Sequence, residues 1–244
     1  MKINLLDIGA ANQRFSEPLN SIPDKYIIGF EPDARSLVSK NNDDVLILPY
    51  ALAGRDGMRK LYLTRKPECS SLMKPNRCYL DNYPDKERWD IVGVEEVHCK
   101  TLNSLSAEIG DIDFIAIDIQ GAEYEVLECA ENVLDGCLGI ECEVEFVEIY
   151  ENQPLFGDVS KLLQSLNFEF IDFIVEYRYN RNALNRTGQL AFADALFLRT
   201  PEFMYSNYMS GLFNKEKCLK YCQIVRAYGK HDLADILSKH LNKC

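Results

Sequence analysis

Histidine is scarce in this chain, three among 244 residues, and no Cys-x-x-Cys pair occurs. Three histidines far apart argue against a zinc site. The nine cysteines are odd in number and follow no framework spacing, so they read as reduced, mostly buried thiols of a cytoplasmic protein. Cys218 and Cys222 form Cys-x-x-x-Cys, but Val225 stands where the iron–sulfur pattern of radical enzymes needs a third cysteine. No stretch approaches the ~20 apolar residues of a membrane helix. Asp7 interrupts the N-terminal apolar run too early for a signal peptide. Positive charge is also short. The 27 Lys and Arg against 38 Asp and Glu leave a net −11, which argues against general nucleic-acid binding and against an anionic membrane surface. The shortfall is uneven: residues 201–244 carry +3, so the first 200 carry −14.

Glycine is missing where it would be diagnostic. A dinucleotide loop reads Gly-x-Gly-x-x-Gly, whereas Gly9-Ala10-Ala11-Asn12-Gln13-Arg14 keeps only the first glycine. What is present is a strand, Ile3 to Ile8, that ends in a glycine turn. A second strand, Tyr26 to Phe30, ends in Glu31-Pro32. Glu31 falls 22 residues after Gly9, close to the ~20-residue spacing at which an acid meets a ribose hydroxyl in nucleotide-binding βαβ units. Gly9 lets the backbone approach a ligand closely, and Glu31 can accept two hydrogen bonds from a cis-diol. The missing glycines favour a ligand without a pyrophosphate, such as S-adenosylmethionine, over NAD.

Strands and helices then alternate. The pattern predicts short helices over 15–22 and 33–38, a third strand over 45–48, and an irregular, polar, lid-like insertion over 54–93. It continues with a strand over 95–99, a helix over 102–109, a strand over 114–118 and a helix over 122–134. Strands follow over 138–146, 168–176 and 193–198, with a helix over 159–166. The alternation predicts an α/β fold with a doubly wound, mostly parallel sheet whose last two strands pair antiparallel at one edge. Helices over 215–227 and 232–241 form an extension, 201–244, beyond a domain of residues 1–200. That extension is expected to mediate association, possible homo-oligomer contacts included, or to cover the acceptor site; the alternative is packing on the domain's own back.

Asp7, Glu31 and Asp118 fall at or near carboxyl ends of consecutive strands, where open α/β sheets bind ligands. A carboxylate inside a parallel sheet is costly unless paired or opened to a cleft, so three together point to a shared cleft. In Gly139-Ile140-Glu141-Cys142-Glu143-Val144-Glu145 the glutamates project to one face. An exposed edge accounts for at least one of them. The active reading puts Glu141 and Glu143 in the cleft, where packed carboxylates raise each other's pKa as a general base requires.

An ordered set of motifs resembles the FkbM family of S-adenosylmethionine-dependent methyltransferases from about residue 3 to residue 199. It comprises Leu6-Asp7-Ile8-Gly9-Ala10, Gly29-Phe30-Glu31-Pro32, Leu48-Pro49-Tyr50-Ala51-Leu52, Cys69-Ser70-Ser71-Leu72, Thr101-Leu102, the run from Asp113 to Glu123, and Asp194-Ala195-Leu196-Phe197. Gln120 stands where the family usually has Glu. The resemblance implies a Rossmann-like class I methyltransferase sheet. It also implies that Asp7, Gly9 and Ala10 border the amino-acid end of the cofactor, Glu31 with Pro32 the ribose, and Ala51 the adenine. Asp118 would lie beside sulfonium and acceptor, and Ser70 and Ser71 would approach cofactor or acceptor.

The expected reaction is methyl transfer to a hydroxyl of a sugar or related small-molecule acceptor, in glycan or natural-product synthesis. Candidate bases are Asp118, Glu141, Glu143 and His98, and no metal is expected. Three rivals stand beside it. A nicotinamide-dependent oxidoreductase would use Tyr62-x-x-x-Lys66, which needs a helix where a strand or loop is expected. A glycosyltransferase would use Asp111-Ile112-Asp113, which precedes its strand instead of following it. The third is a non-catalytic nucleotide-binding module on the same fold.

Overall fold

The computed structural model describes residues 1–9, 16–33, 35, 41–181 and 188–242. In chain order the elements are β1 (Ile3–Ile8), α1 (Glu17–Asn20), β2 (Lys25–Phe30), β3 (Val45–Leu48), β4 (Ala51–Leu52), β5 (Gly57–Thr64), α2 (Arg77–Leu80), β6 (Ile91–Lys100), α3 (Leu102–Ile109), β7 (Phe114–Ile117), α4 (Glu123–Glu128), α5 (Glu131–Leu134), β8 (Gly139–Glu145), α6 (Phe156–Ser165), β9 (Glu169–Tyr179), β10 (Gln189–Leu198), α7 (Pro201–Met209), α8 (Lys215–Ala227) and α9 (His231–Leu241). The expected helix over 33–38 falls largely outside the described residues.

Seven strands form the main sheet in the order β3-β2-β1-β7-β8-β10-β9. β3, β2, β1, β7 and β8 are parallel, while β10 runs antiparallel to both β8 and β9. The chain leaves β1 for β2 and β3 on one side and returns to β7 on the other. The switch point therefore lies between β1 and β7, the place where such sheets bind ligands. There the two strands nearly touch: a Cβ on Gly9 would stand 1.9 Å from the Asp118 carbonyl oxygen, and Gly9 has φ +88°. Only glycine meets both demands.

Helices cover both faces. On one, Leu105 of α3, Val126 of α4, Leu134 of α5 and Leu163 of α6 pack on Ile8, Ile117 and Ile140. On the other, Leu19 of α1, Met204 of α7, Tyr221 and Val225 of α8 and Leu237 of α9 pack on Ile3, Leu5, Phe114 and Leu198. The C-terminal helices are thus the layer that closes one face of the sheet. Asp113 reinforces that layer: it is 1% exposed and accepts from Lys217 Nζ (2.8 Å), Lys220 Nζ (2.7 Å) and the Asn4 N–H (2.9 Å).

Other expectations are corrected. Residues 54–93 are not mainly irregular: β5 pairs antiparallel with the whole of β6, and β4 completes a second, three-stranded sheet. β5 mixes charged and apolar residues without clean alternation because much of it is exposed, which hid it from a periodicity reading. The helix over 122–134 breaks at Cys129–Ala130 into two, with neither Gly nor Pro there to signal it. No glutamate of β8 lies on an exposed edge: β8 sits between β7 and β10, and all its residues are buried. The eight described cysteines are free and six are buried. Among the described residues no helix is long and apolar enough to cross a membrane.

Candidate active site

Above the switch point lies a cleft of about 630 Å³ whose walls include Asp7, Gly9, Glu31, Pro32, Ala51, Ser70, Ser71, Asp118, Glu141, Glu143 and Asp194. Sheet register brings the acids together. Asp7 of β1 aligns with Ala116 of β7, and Ala116 with Glu141 of β8. One row on, Glu143 aligns with Asp194 of β10.

The turn after β7 is the hub. Gln120 adopts φ +61° and Gly121 φ +101°, a left-handed pair that folds the chain back over the strand end. Glu123, buried at the start of α4, fixes this turn by accepting from the N–H groups of Ile119 (2.8 Å) and Gly121 (3.0 Å). Ser71 Oγ donates to the Gln120 carbonyl oxygen at 2.7 Å. The Gln120 side chain then bridges two acids. Its Nε2 donates to Asp118 Oδ1 (2.7 Å) and to Glu143 Oε1 (2.8 Å), while its Oε1 lies 2.8 Å from the Tyr150 hydroxyl, which is also 2.9 Å from the Cys69 carbonyl oxygen.

The other acids are also held without cations. Glu31 Oε1 accepts the Asp33 N–H at 2.7 Å. Glu141 Oε2 accepts from Ser16 Oγ at 2.7 Å and from the Tyr228 hydroxyl. Asp7 Oδ2 is buried with no hydrogen-bond partner. Burial therefore dominates their proton affinity. It pushes the carboxyls of Asp7, Glu31 and Asp194 up to about 7, with neighbouring acids adding to the rise at each. It raises Glu143 well above the ordinary range, helped by Asp118, Glu145, Asp194 and Glu123. Asp118 rises too, from crowding by protein, against hydrogen bonds from Gln120 and Glu143. Its side chain opens into the cleft.

Of the residues expected at the site, Asp7, Gly9, Glu31, Pro32, Ala51, Ser70, Ser71, Asp118 and Glu143 line the cleft. Ala10 lies outside the described residues. His98 does not join them: it is exposed on β6, paired across the strand with Met58, its ring 6.0 Å from that of Tyr50. Ser70 and Ser71 are engaged with the protein, Ser70 Oγ accepting from the Thr64 N–H and Arg35 Nη2, both at 3.1 Å. Sequence reasoning places Asp194 within a family motif but gives it no role, names neither Tyr177 nor Tyr179, and treats Gln120 only as a departure from a pattern. An acid inside the apolar strand Ala193–Leu198 was the available signal for Asp194.

The rivals lose ground here. Tyr62 lies on β5 and Lys66 beyond its end, so the pair shares no helix face. Asp113 sits at the opposite end of β7 from the cleft, paired with lysines. Among the described residues no three His, Cys, Asp or Glu side chains gather to hold a metal ion.

The family model described as the methyltransferase FkbM domain matches residues 7–170. No curated protein matches the sequence. Among solved structures, magnesium protoporphyrin IX methyltransferase from Synechocystis PCC 6803 with bound SAM is similar at 10% identity, covering 82% of this chain and 71% of that one, TM-score 0.41. The N-terminal domain of EvdMO1, in the presence of SAH and D-fucose, is similar at 12% identity over 81% and 76%, TM-score 0.40. A TehB-like SAM-dependent methyltransferase from Corynebacterium glutamicum ATCC 13032 Kitasato is similar at 10% identity over 81% and 80%, TM-score 0.38.

Proposed function

We propose, from the premise that this chain belongs to the methyltransferase FkbM family and is a class I S-adenosylmethionine-dependent enzyme, that it methylates a hydroxyl of a sugar or related polyol. The observation that carries this reading is the Gln120-bridged pair of Asp118 and Glu143 in the cleft. A hydroxyl acceptor must lose a proton during transfer, and a carboxylate with raised proton affinity beside the acceptor is suited to take it. Asp118 is the base assigned here, because it opens into the cleft. Glu143 lies deeper and is held by the same Gln120 amide.

The cleft suits the cofactor. Its volume falls in the ~300–1,000 Å³ range of small-molecule sites. Asp7 Oδ2 is a buried acceptor with no partner, and Glu31 is a buried acid at the end of β2. Bound there, S-adenosylmethionine supplies an electrophilic methyl on a sulfonium. Glu31 is assigned the ribose hydroxyls, Asp7 and Gly9 the amino-acid end, and Ala51 the adenine. The remaining task of the protein is alignment, which a rigid turn at 119–121 serves well.

The test is methyl transfer to a panel of methyl glycosides, followed by mass spectrometry. Expected is a product one methyl heavier, lost in Asp118→Asn although SAH still binds by calorimetry. Tight SAH binding with no methylated sugar in the panel would overturn the acceptor class. The reading uses no metal, so EDTA should leave turnover unchanged; loss of activity restored by Mg²⁺ would overturn that point.

A further inference from the structure

The sheet order gives the cleft two halves. Gly9, Glu31 and Ala51, assigned to the cofactor, follow β1, β2 and β3 on one side of Asp118, while β8, β10 and β9 lie on the other. An acceptor must reach Asp118, and the second half is the space a cofactor in the first half leaves free. One stretch of β10 and its neighbours sets what that half offers. Phe192 and Asp194 alternate with the buried Ala191, Ala193 and Ala195, so both project to one face. Register places Asp194 between Glu143 of β8 and Val175 of β9, and Phe192 between Glu145 and Tyr177. Pairing with β9 shifts on either side of this stretch, between Leu190 and Phe192 and between Asp194 and Ala195. Irregularities of that kind re-aim side chains beside active sites.

Two of these side chains stay open to the cleft. Tyr177 stacks on Phe192, centroids 4.4 Å apart and planes at 16°, yet remains 40% exposed on the cleft wall. The stack fixes the plane of its ring. Asp194 is half-buried and lines the cleft, and the charges that act on it are those of other acids, Asp118 and Glu141. Lys66 and Arg88, the described cations of the cleft wall, act on Cys69 instead. A flat apolar ring beside an uncompensated carboxylate suits a ligand that is apolar on one face and hydroxylated at its rim. A pyranose is such a ligand, with C–H groups to lie over Tyr177 and neighbouring hydroxyls to donate to Asp194. A planar aromatic acceptor would use the ring and leave the carboxylate unmet. A uronate would set like charge against Asp194.

We propose that Tyr177 and Asp194 hold the acceptor and set its class: a neutral pyranose whose face lies against Tyr177 and whose hydroxyls donate to Asp194. This rests on the saccharide reading of the cleft.

Full-length protein saturated with SAH is titrated by calorimetry at alkaline pH, where Asp194 is ionised. The probes are methyl glycosides of glucose, galactose, mannose, fucose and rhamnose, and those of glucuronic and galacturonic acid. The best-bound neutral glycoside is expected to bind about tenfold or more tightly than either uronide, a difference of ~1.4 kcal/mol. Asp194→Asn should close that gap. Tyr177→Leu still covers Phe192 but lacks a flat ring, and it should weaken the neutral glycoside about tenfold, the size of one good aromatic contact. Tyr177→Phe should restore the affinity. Retained SAH binding shows that each variant is folded. Uronides as tight as the neutral glycosides, a gap that persists in Asp194→Asn, or unchanged affinity in Tyr177→Leu overturns the assignment and leaves the saccharide reading standing. SAH binding with no binding of any sugar overturns the saccharide reading and the assignment with it.

Discussion

Strand β7 is flanked by two aspartates, and the protein treats them in opposite ways. Asp113, just before the strand, is buried and paired with two lysines and a backbone N–H. Asp118, just after it, opens into the cleft and is met by Gln120, through side chain and backbone, and by its acidic neighbour, with no cation. At the first end, charge is neutralised to hold the C-terminal helices on the sheet. At the second, acids crowd without cations, so their affinity for protons stays high and available. One end of the strand serves the fold, and the other is the end assigned here to a ligand.

The strongest break removes the partners at the first end altogether. A chain ending at Pro201 loses Lys217 and Lys220 and uncovers Ile3, Leu5, Phe114 and Leu198. At ~25 cal/mol per Å², each ~400 Å² of apolar surface left uncovered costs ~10 kcal/mol, comparable to the 5–15 kcal/mol by which a domain is usually stable. The expected result is no cooperative melt and aggregation on gel filtration. A monomer that melts cooperatively and binds SAH would show the helices to be the dispensable extension.

Single substitutions should separate the two ends. Asp113→Ala leaves two lysines, 15% and 13% exposed at their side chains, without their acid. It should cost ~3–5 kcal/mol of stability, read from denaturant melts. Asp118→Asn should leave the melt unchanged or higher, since it removes a crowded charge, while methyl transfer falls by ~10²–10⁴. A melt that drops in Asp118→Asn, or full turnover, would erase the contrast.

Much of this was legible in the sequence, and what was not has physical causes. Glu31 at its spacing from Gly9, the acids at strand ends, and the antiparallel edge pair are local patterns, and the cleft gathers them. Residues 54–93 failed because β5 is exposed on an accessory sheet, where alternation is weak and pairing with β6 supplies the order. The glutamates of β8 were assigned one exposed edge because alternation is the usual mark of a solvent face; here the polar row faces the cleft and the buried network around Gln120. His98 lies outside the cleft lining, because a titratable side chain says nothing of where its strand packs. The bridge by Gln120 depends on a left-handed turn and on Tyr150, 30 residues away, which no local pattern carries.

The smallest expected effect sharpens what the cleft end does with its protons. Burial holds the Glu31 carboxyl at about 7 against an ordinary 4.5. Its folded value is raised, so it adds stability to the unliganded protein below the ordinary value, and that contribution is lost as pH rises through 7. Accepting two ribose hydroxyls requires the ionised form, which pulls the other way: SAH affinity should rise with pH through the same window. Glu31→Ala should weaken SAH by ~1–3 kcal/mol at alkaline pH and by less under acid conditions, where Glu31 is already protonated. The slope that remains in the variant then belongs to the other cleft carboxyls held at about 7, Asp7 and Asp194. Calorimetry from about pH 5.5 to about pH 8.5 measures both. A pH profile identical in the variant and the parent would remove Glu31 from the ribose and leave the response to the other cleft carboxyls, Asp7 and Asp194.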